Sequence, residues 1–512
     1  MNKIVFAIII FISLFRLGSV KLFDVDEAVF AQSTKEMIQS GDWITPTYNG
    51  EPRYDKPILF YWLMAFSFKI FGVNEFAARF PSALSGLILC AVLYFFIKNL
   101  KDEKQAFYTV LSFAFSLYYF IYTHAAVTDM ALSLFISVSL ICFYISEEKN
   151  KKFIYGFYIF SAFAFLTKGL VGIVFPFGIA SVYLCIKKGF KELKTLYNFW
   201  AILLFLLISI PWYVAQILIN GREFIEQFFI KHHFMRYTGV ISGHRGPIYF
   251  FIPVLIIGLF PWISFIAKAF KDFKRDALIQ FSFVWAGFIF LFFSFSTTKL
   301  PNYILPAVAA FSILNSYGMI EVNKNFSRIP YIFSAVISIL IAVSLIVVKV
   351  KIATILPYFN MKWLNIMILI MSLFAVISIY AFLKKDRVFL LFAGLSFSLI
   401  LAISIKVLPI INEYMQGTLY KYSIYAKQNL QKNDILITYK INKPSIPFYS
   451  DRKILKIDSE KELIESIKNE SIAERKIKGV VISQVKDVEF LKSIGLNLIE
   501  EDRDYAIFTF PG

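Results

Sequence analysis

Thirteen apolar stretches, each near the roughly 20 residues a membrane-crossing helix needs, set the rhythm of the chain up to residue 408. They fall at 4–22, 78–97, 105–123, 127–146, 153–168, 169–186, 198–217, 247–267, 278–296, 301–319, 329–348, 363–383 and 388–408. The run from Ile58 to Phe71 is apolar too, but it is short and follows Asp55-Lys56-Pro57, so it is expected as an interfacial or re-entrant helix. Between the first two stretches lies a polar interruption, Phe23 to Trp62, that carries Asp24, Asp26, Glu27, Glu36, Asp42, Glu51, Arg53, Asp55 and Lys56. Within it Ala28 to Ile38 mixes apolar and polar positions as a short interfacial helix would, and Gly41, Pro46, Gly50, Pro52 and Pro57 mark its end and the turns beyond. After Pro409 the pattern changes to that of a soluble domain. Strands are predicted at 434–439, 479–483, 496–500 and 505–510, with helices at 420–430, 461–469 and 485–491 between them. The fold class expected is therefore a polytopic α-helical membrane protein of about 13 spans (1–408, with polar loops 23–77 and 218–246) followed by a small α/β domain (409–512).

Composition agrees with that reading: 58% of the 512 residues are hydrophobic, 18% aromatic and only 17% charged, which excludes an ordinary soluble enzyme. The net charge of +18 is unevenly placed. Residues 409–512 hold 16 Lys+Arg against 15 Asp+Glu, so nearly all the excess belongs to the membrane part. It reads as positive-inside loops and contact with anionic membrane lipids, with no nucleic-acid partner. Lys98/Lys101/Lys104, Lys149/Lys151/Lys152, Lys187/Lys188/Lys191/Lys194, Lys268/Lys271/Lys274/Arg275 and Lys384/Lys385/Arg387 alternate onto one side, which becomes the cytoplasmic one. The 23–57 loop, Thr123–Thr128, the 218–246 loop, Ser296–Tyr303 and the C-terminal domain then share the opposite face. Cys90, Cys142 and Cys185 lie in apolar runs and imply no disulfide framework. The N-terminal Met-Asn-Lys and its apolar run resemble a signal peptide, but no small-residue cleavage site precedes the acidic loop, so an uncleaved first helix is expected.

Ionisable residues at the edge of a bilayer are costly, and their presence is a functional hypothesis. The outward-facing loops collect Asp26, Glu27, Asp55, Lys56, Asp129 and Lys168, then Arg222, Lys231, His232, His233, Arg236, His244 and Arg245, and finally the run Thr298-Lys299-Leu300-Pro301-Asn302-Tyr303. Carboxylates beside cations suit a reaction on an anionic lipid head group: the cations hold a phosphate, and a carboxylate takes a proton or steadies developing positive charge. Plainer roles exist for the same residues. Asp26 and Glu27 can cap a helix, Asp129 can pair with a base, Lys56 can anchor at the interface, Lys168 can be a helix-end cation, and Lys299 and Tyr303 can belong to the interfacial belt. A transporter or flippase of anionic lipids would also line its path with charge. Against it, the charges gather on one face, and no matching broken helices appear in two halves.

The order of motifs carries a resemblance. Asp26-Glu27-Ala28, Gly41-Asp42-Trp43, Tyr54-Asp55-Lys56-Pro57 with Phe60-Tyr61-Trp62, Glu75-Phe76-Ala77-Ala78-Arg79-Phe80-Pro81, Thr128-Asp129-Met130, Leu166-Thr167-Lys168-Gly169 and Lys299-Leu300-Pro301-Asn302-Tyr303 follow one another along 1–320. Together they resemble the bacterial aminoarabinose (lipid A) transferase and protein O-mannosyltransferase superfamily of GT-C glycosyltransferases, and the aminoarabinose transferases most. The resemblance implies an inner-membrane enzyme that takes a sugar from a polyprenyl-phosphate-linked donor and passes it, on the periplasmic side, to lipid A or another acceptor; a protein O-mannosyltransferase is the alternative. It implies Asp26 as the catalytic carboxylate with Glu27 beside it, Asp129 as a second conserved acid, and Lys56 and Arg236 as phosphate-binding cations. Lys168, Lys299 and Tyr303 join them as candidate substrate-binding residues. Asp55, where aminoarabinose transferases usually have Glu, would form a zinc site with His232 or His233. The C-terminal domain shows no catalytic cluster and is expected to shape or cover the cavity.

Overall fold

The computed structural model of the chain describes residues 3–228, 246–355, 361–385, 388–468 and 478–510. Its contacts divide it into two units. The first comprises Met1–Leu17, Tyr54–Phe60 and Arg79–Val407; the second comprises Gly18–Arg53, Tyr61–Ala78 and Leu408–Gly512. The break after 407 falls beside the composition change at Pro409, but most of the polar loop 23–77 groups with the C-terminal domain.

In the first unit every apolar stretch carries helix. Among the described residues, nine helices are long and apolar enough to cross a membrane, and eleven if two broken pairs count as one span each. Glu103–Ala114 and Leu117–Thr123 bend by 61° at Ser116, whose hydroxyl donates to Phe113 O and accepts the Tyr119 N–H. Phe251–Gly258 and Trp262–Asp272 bend by 111° at Pro261, which has no N–H to continue the ladder. The remaining two of the thirteen expected spans are the short helices Lys3–Leu14 and Ile154–Lys168. Leu59–Phe71 is a 13-residue helix, too short to span. Aromatic rings tie helices together: Tyr183 packs edge-on against Phe143 at 6.2 Å and Phe281 at 5.0 Å, joining Asp129–Glu148, Val171–Lys188 and Ala277–Phe295. Gly172 lets Val171–Lys188 lie directly on the preceding helix, because a Cβ there would sit 2.3 Å from the Ala164 carbonyl carbon.

In the second unit the sequence from Asp26 folds as the helix Asp26–Ser40, closed by Gly41 at φ +75° with its N–H on Met37 O. Residues 27–35 of this helix are all buried, Gln32, Ser33, Thr34 and Lys35 included. The expectation of a helix lying on the bilayer interface is corrected accordingly: it is covered by the helix Ser445–Ser450 and by a hairpin rather than presenting one polar face. That hairpin pairs β1 (Thr47–Tyr48) with β2 (Glu51–Pro52) across Asn49-Gly50, both at positive φ, the combination a two-residue turn requires. Glu36 fixes it, accepting from Thr47 Oγ1 and from the Asn49 and Gly50 N–H groups at 2.7–3.0 Å.

The C-terminal sheet has the order β4-β3-β5-β7-β6, built from β3 (Ile435–Tyr439), β4 (Leu455–Ile457), β5 (Gly479–Gln484), β6 (Asn497–Asp502) and β7 (Tyr505–Phe510). β3 is parallel to both β4 and β5, and β7 is antiparallel to β5 and β6. Both faces are covered. Leu436, Val480 and Ile507 pack on Leu419, Tyr422 and Ala426 of the helix Leu408–Asn429, while Ile437, Val481 and Phe508 pack on Leu463 and Leu491. Burial on both sides is why β3 and β5 are apolar at successive positions (Ile435-Leu436-Ile437 and Val480-Val481-Ile482) and do not alternate.

Candidate active site

In the first unit three segments far apart in sequence bring their polar residues together. Asp129 opens the helix Asp129–Glu148 and is 4% exposed. Its Oδ1 accepts from Lys168 Nζ at 2.6 Å and from Asn302 Nδ2 at 3.0 Å. Lys168 closes the helix Ile154–Lys168, where Gly169 at φ +71° turns the chain. The acid therefore sits at a helix N-terminus and the base at a helix C-terminus, each favoured by the local backbone dipole. The Lys168 ammonium also lies 5.7 Å from the centre of the Tyr303 ring, a cation–π contact. Asp129, Lys168 and Tyr303 were all candidates from sequence. Asn302 was quoted only as part of a motif; its signal is its place between Pro301 and Tyr303.

Lys299 belongs to a different environment. It is 5% exposed and donates to Phe293 O, Ser294 O and Ser296 O at 3.2, 2.8 and 2.7 Å, two carbonyls in the last turn of the helix Ala277–Phe295 and that of its C-cap residue. Its ammonium satisfies a helix end. Lys56 is half-buried and donates to Asp55 O at 3.0 Å, and Asp55 is half-buried beside it. Arg236, His232 and His233 lie outside the described residues. Of the expected zinc ligands only Asp55 is placed, and no group of three metal-binding side chains occurs among the described residues.

In the second unit Asp26 and Glu27 open their helix with opposite environments. Glu27 is 4% exposed and accepts the Phe23 N–H at 2.9 Å, while Asp26 is exposed. Glu27 thus closes the turn that leads into its helix, and the Asp26 side chain makes no hydrogen bond or ion pair among the described residues. Two residues earlier, Asp24 is half-buried and accepts from the Ser445 N–H at 2.9 Å and from Ser445 Oγ at 2.5 Å. Burial raises its pKa above the ordinary value, and the Ser445 hydrogen bonds oppose that rise. Sequence reasoning counted Asp24 among the loop acids but gave it no role.

Comparison with known proteins gives this chemistry a family. Residues 55–214 match the family described as dolichyl-phosphate-mannose-protein mannosyltransferase. An uncharacterised protein of Aquifex aeolicus is 30% identical over 455 residues, covering 86% of this chain and 85% of that one. An undecaprenyl phosphate-alpha-4-amino-4-deoxy-L-arabinose arabinosyl transferase of Yersinia pestis is 31% identical over 345 residues, which span 65% of this chain and 61% of the transferase. Among solved structures, ArnT from Cupriavidus metallidurans bound to undecaprenyl phosphate superposes with a TM-score of 0.79 at 21% identity, covering 99% of this chain and 97% of that one. The transporter reading has no support among these matches. The chain is a multi-pass membrane glycosyltransferase with the GT-C fold, similar to the aminoarabinose transferases and the protein mannosyltransferases.

Proposed function

We propose that the protein transfers a sugar from a polyprenyl-phosphate donor to lipid A or a related acceptor, on the periplasmic side of a bacterial inner membrane, the sugar being 4-amino-4-deoxy-L-arabinose. The observation that carries the reading is the cluster that Lys168, Asn302 and Tyr303 form around the buried Asp129, assembled from three of the motifs that define the resemblance. An ion pair in a membrane unit marks a functional site, and relatives named for this transfer supply the chemistry.

In the step itself the bond between the sugar carbon and the phosphate oxygen breaks, and its electron pair leaves with the phosphate. Cations beside that oxygen lower the barrier most, because the charge appears there during the reaction. Lys56 and Arg236 have this role, and Lys168 keeps two N–H groups beyond the one it gives to Asp129. If the acceptor is a hydroxyl, Asp26 takes its proton as the new bond to the sugar carbon forms. If it is a phosphate of lipid A, the acceptor is already anionic, and Asp26 orients the donor or steadies positive charge on the sugar. Asp55 with His232 or His233 would hold zinc in this proposal. Zinc absent from the purified protein, with activity unchanged in chelator, removes that site.

A second reading, transfer of mannose to protein, is favoured by the description of the family matching 55–214. Mass spectrometry of lipid A from cells with and without the gene separates the two. A gene-dependent mass increase on lipid A supports the first; unchanged lipid A with lost protein glycosylation supports the second.

A further inference from the structure

Four consecutive backbone N–H groups lead into the Asp26–Glu27 pair, and each is held by a side chain. The Lys21 N–H donates to Asn412 Oδ1 at 2.9 Å, and Asn412 Nδ2 returns a bond to Lys21 O at 2.8 Å. The Leu22 N–H donates to the Tyr449 hydroxyl at 2.8 Å, and that hydroxyl donates to Glu75 Oε1 at 2.9 Å. The Phe23 N–H goes to Glu27 itself. The Asp24 N–H reaches the Gln416 amide oxygen at 3.2 Å when that amide is turned so that its nitrogen donates to Asp24 Oδ2 at 3.0 Å. Ser445 completes the set on the Asp24 carboxylate.

Residues 21–24 form neither helix nor strand, so apart from the Phe23 N–H on Glu27 nothing in their own local structure satisfies these groups. Glu27 aside, their partners come from 391–427 positions away, and Asn412, Gln416 and Ser445 are at most 3% exposed. A polar network in which every member is satisfied rigidifies what it holds. A displacement of a catalytic group by about 1 Å can reduce rate by about a hundredfold. Helix packing alone would attach the C-terminal domain to this segment without a matched partner for each successive N–H.

We propose that Asn412, Gln416, Ser445 and Tyr449 are positioning residues for the Asp26–Glu27 pair, so that the C-terminal domain sets the rate of sugar transfer by fixing the geometry of the loop before it. This rests on the reading of Asp26 as the catalytic carboxylate. The domain's role in this proposal is then more than covering a cavity: these residues act through the loop they hold.

The test uses the full chain in membranes, with undecaprenyl-phosphate-linked aminoarabinose as donor, lipid A as acceptor, and undecaprenyl phosphate as the binding probe. Ser445→Ala and Gln416→Leu should each lower kcat at least about tenfold, while donor KM and undecaprenyl phosphate affinity stay within about twofold. Ser445→Thr, which keeps the hydroxyl, should recover most of the rate, and Lys492→Ala on the same domain should match the parent. Tyr449→Phe removes one oxygen and keeps the ring, so it tests the same contact with least disturbance to folding. Folded variants with kcat within twofold of the parent overturn the proposal. So does a parallel loss of rate and probe binding that Ser445→Thr fails to rescue, which would mark a merely structural contact. Asp26→Asn at parental rate instead overturns the catalytic reading beneath it; Asp26→Asn inactive with Ser445→Ala fully active overturns the positioning role alone.

Discussion

The two units bury carboxylates by different means. In the membrane unit Asp129 is neutralised by a full opposite charge, Lys168, with Asn302 as a neutral second donor. In the other unit Asp24 is held by neutral donors, the Ser445 N–H and hydroxyl and the Gln416 amide, while the nearby Asp26 is left exposed. An ion pair inside an apolar unit is a two-sided commitment: removing either partner strands the other. Neutral donors fix position without cancelling charge, which suits a segment whose task is to aim a neighbouring acid.

The largest effect that can break this comparison is at Asp26. Asp26→Asn should lower turnover by roughly 10²–10⁴, the range for a lost general acid or base, with undecaprenyl phosphate binding near the parent's. A rate measurement on membrane-inserted variants decides it, and parental turnover would make Asp26 only a helix-end acid.

At Asp129 the expected loss is first one of stability. Asp129→Ala leaves the half-buried Lys168 without its partner and should cost about 3 kcal/mol, the lower end for a buried pair, seen as a lower melting temperature in detergent. The double variant Asp129→Leu with Lys168→Met should recover much of that stability and none of the transfer. If the double variant is as active as the parent, the pair is structural only.

Lys299 and Lys56, both candidate substrate-binding cations from the sequence, should part company. Lys299→Met should cost roughly 2 kcal/mol of stability through the Ser294 and Ser296 carbonyls that lose this donor, Phe293 O keeping the Ser296 N–H, with transfer rate per folded molecule little changed. Lys56→Ala should fold normally yet weaken transfer at least about tenfold, the equivalent of a charge-assisted contact worth about 1.5 kcal/mol. Lys56→Arg should restore only part of that, because a planar fork replaces a compact point charge poorly. Steady-state kinetics beside thermal melts separate the two lysines.

What could be read in advance follows from which interactions are local. The apolar stretches folded as helix, and four of the five C-terminal strands were found, because burial imposes a period on neighbouring residues. The three-residue β4 lies at a sheet edge with Leu455 and Lys456 exposed, so it carried no such period. The helix from Asp26 was expected but its setting was not: Gln32, Ser33, Thr34 and Lys35 look like a solvent face until the helix Ser445–Ser450 covers them. At the site, Asp129, Lys168 and Tyr303 were named, but the pairing of the first two lies in the contact of two helices. Lys299 was assigned to substrate because a lysine beside a span looks functional, and its attachment to the preceding helix end needed coordinates. The holders of Lys21–Asp24 were invisible for the plainest reason: Asn412, Gln416, Ser445 and Tyr449 are ordinary residues whose partners are about 400 positions away.

The smallest expected effect sharpens the contrast between charge pairing and neutral holding within the second unit. Lys35 Nζ contacts Asp451 at 2.6 Å and Phe448 O at 3.1 Å, and the Lys35 hydrogen bond lowers the Asp451 pKa below its ordinary 3.8. The unfolded chain therefore binds this proton more tightly than the folded one, so the stabilisation is present above the ordinary value and is lost as pH falls through the lowered one. Asp24 has the opposite sign: burial raises its pKa, so its contribution favours the folded state at low pH and fades as pH rises through the raised value. Asp451 is 47% exposed, which keeps its share under about 1 kcal/mol after solvent screening. Melting curves at stepped pH should show Asp451→Asn losing part of the parent's destabilisation on acidification, and Asp24→Asn making that destabilisation steeper. Identical pH profiles for both variants would mean that Lys35 and Ser445 hold their carboxylates equally in the folded and unfolded chain, and the difference between the two modes of holding would disappear.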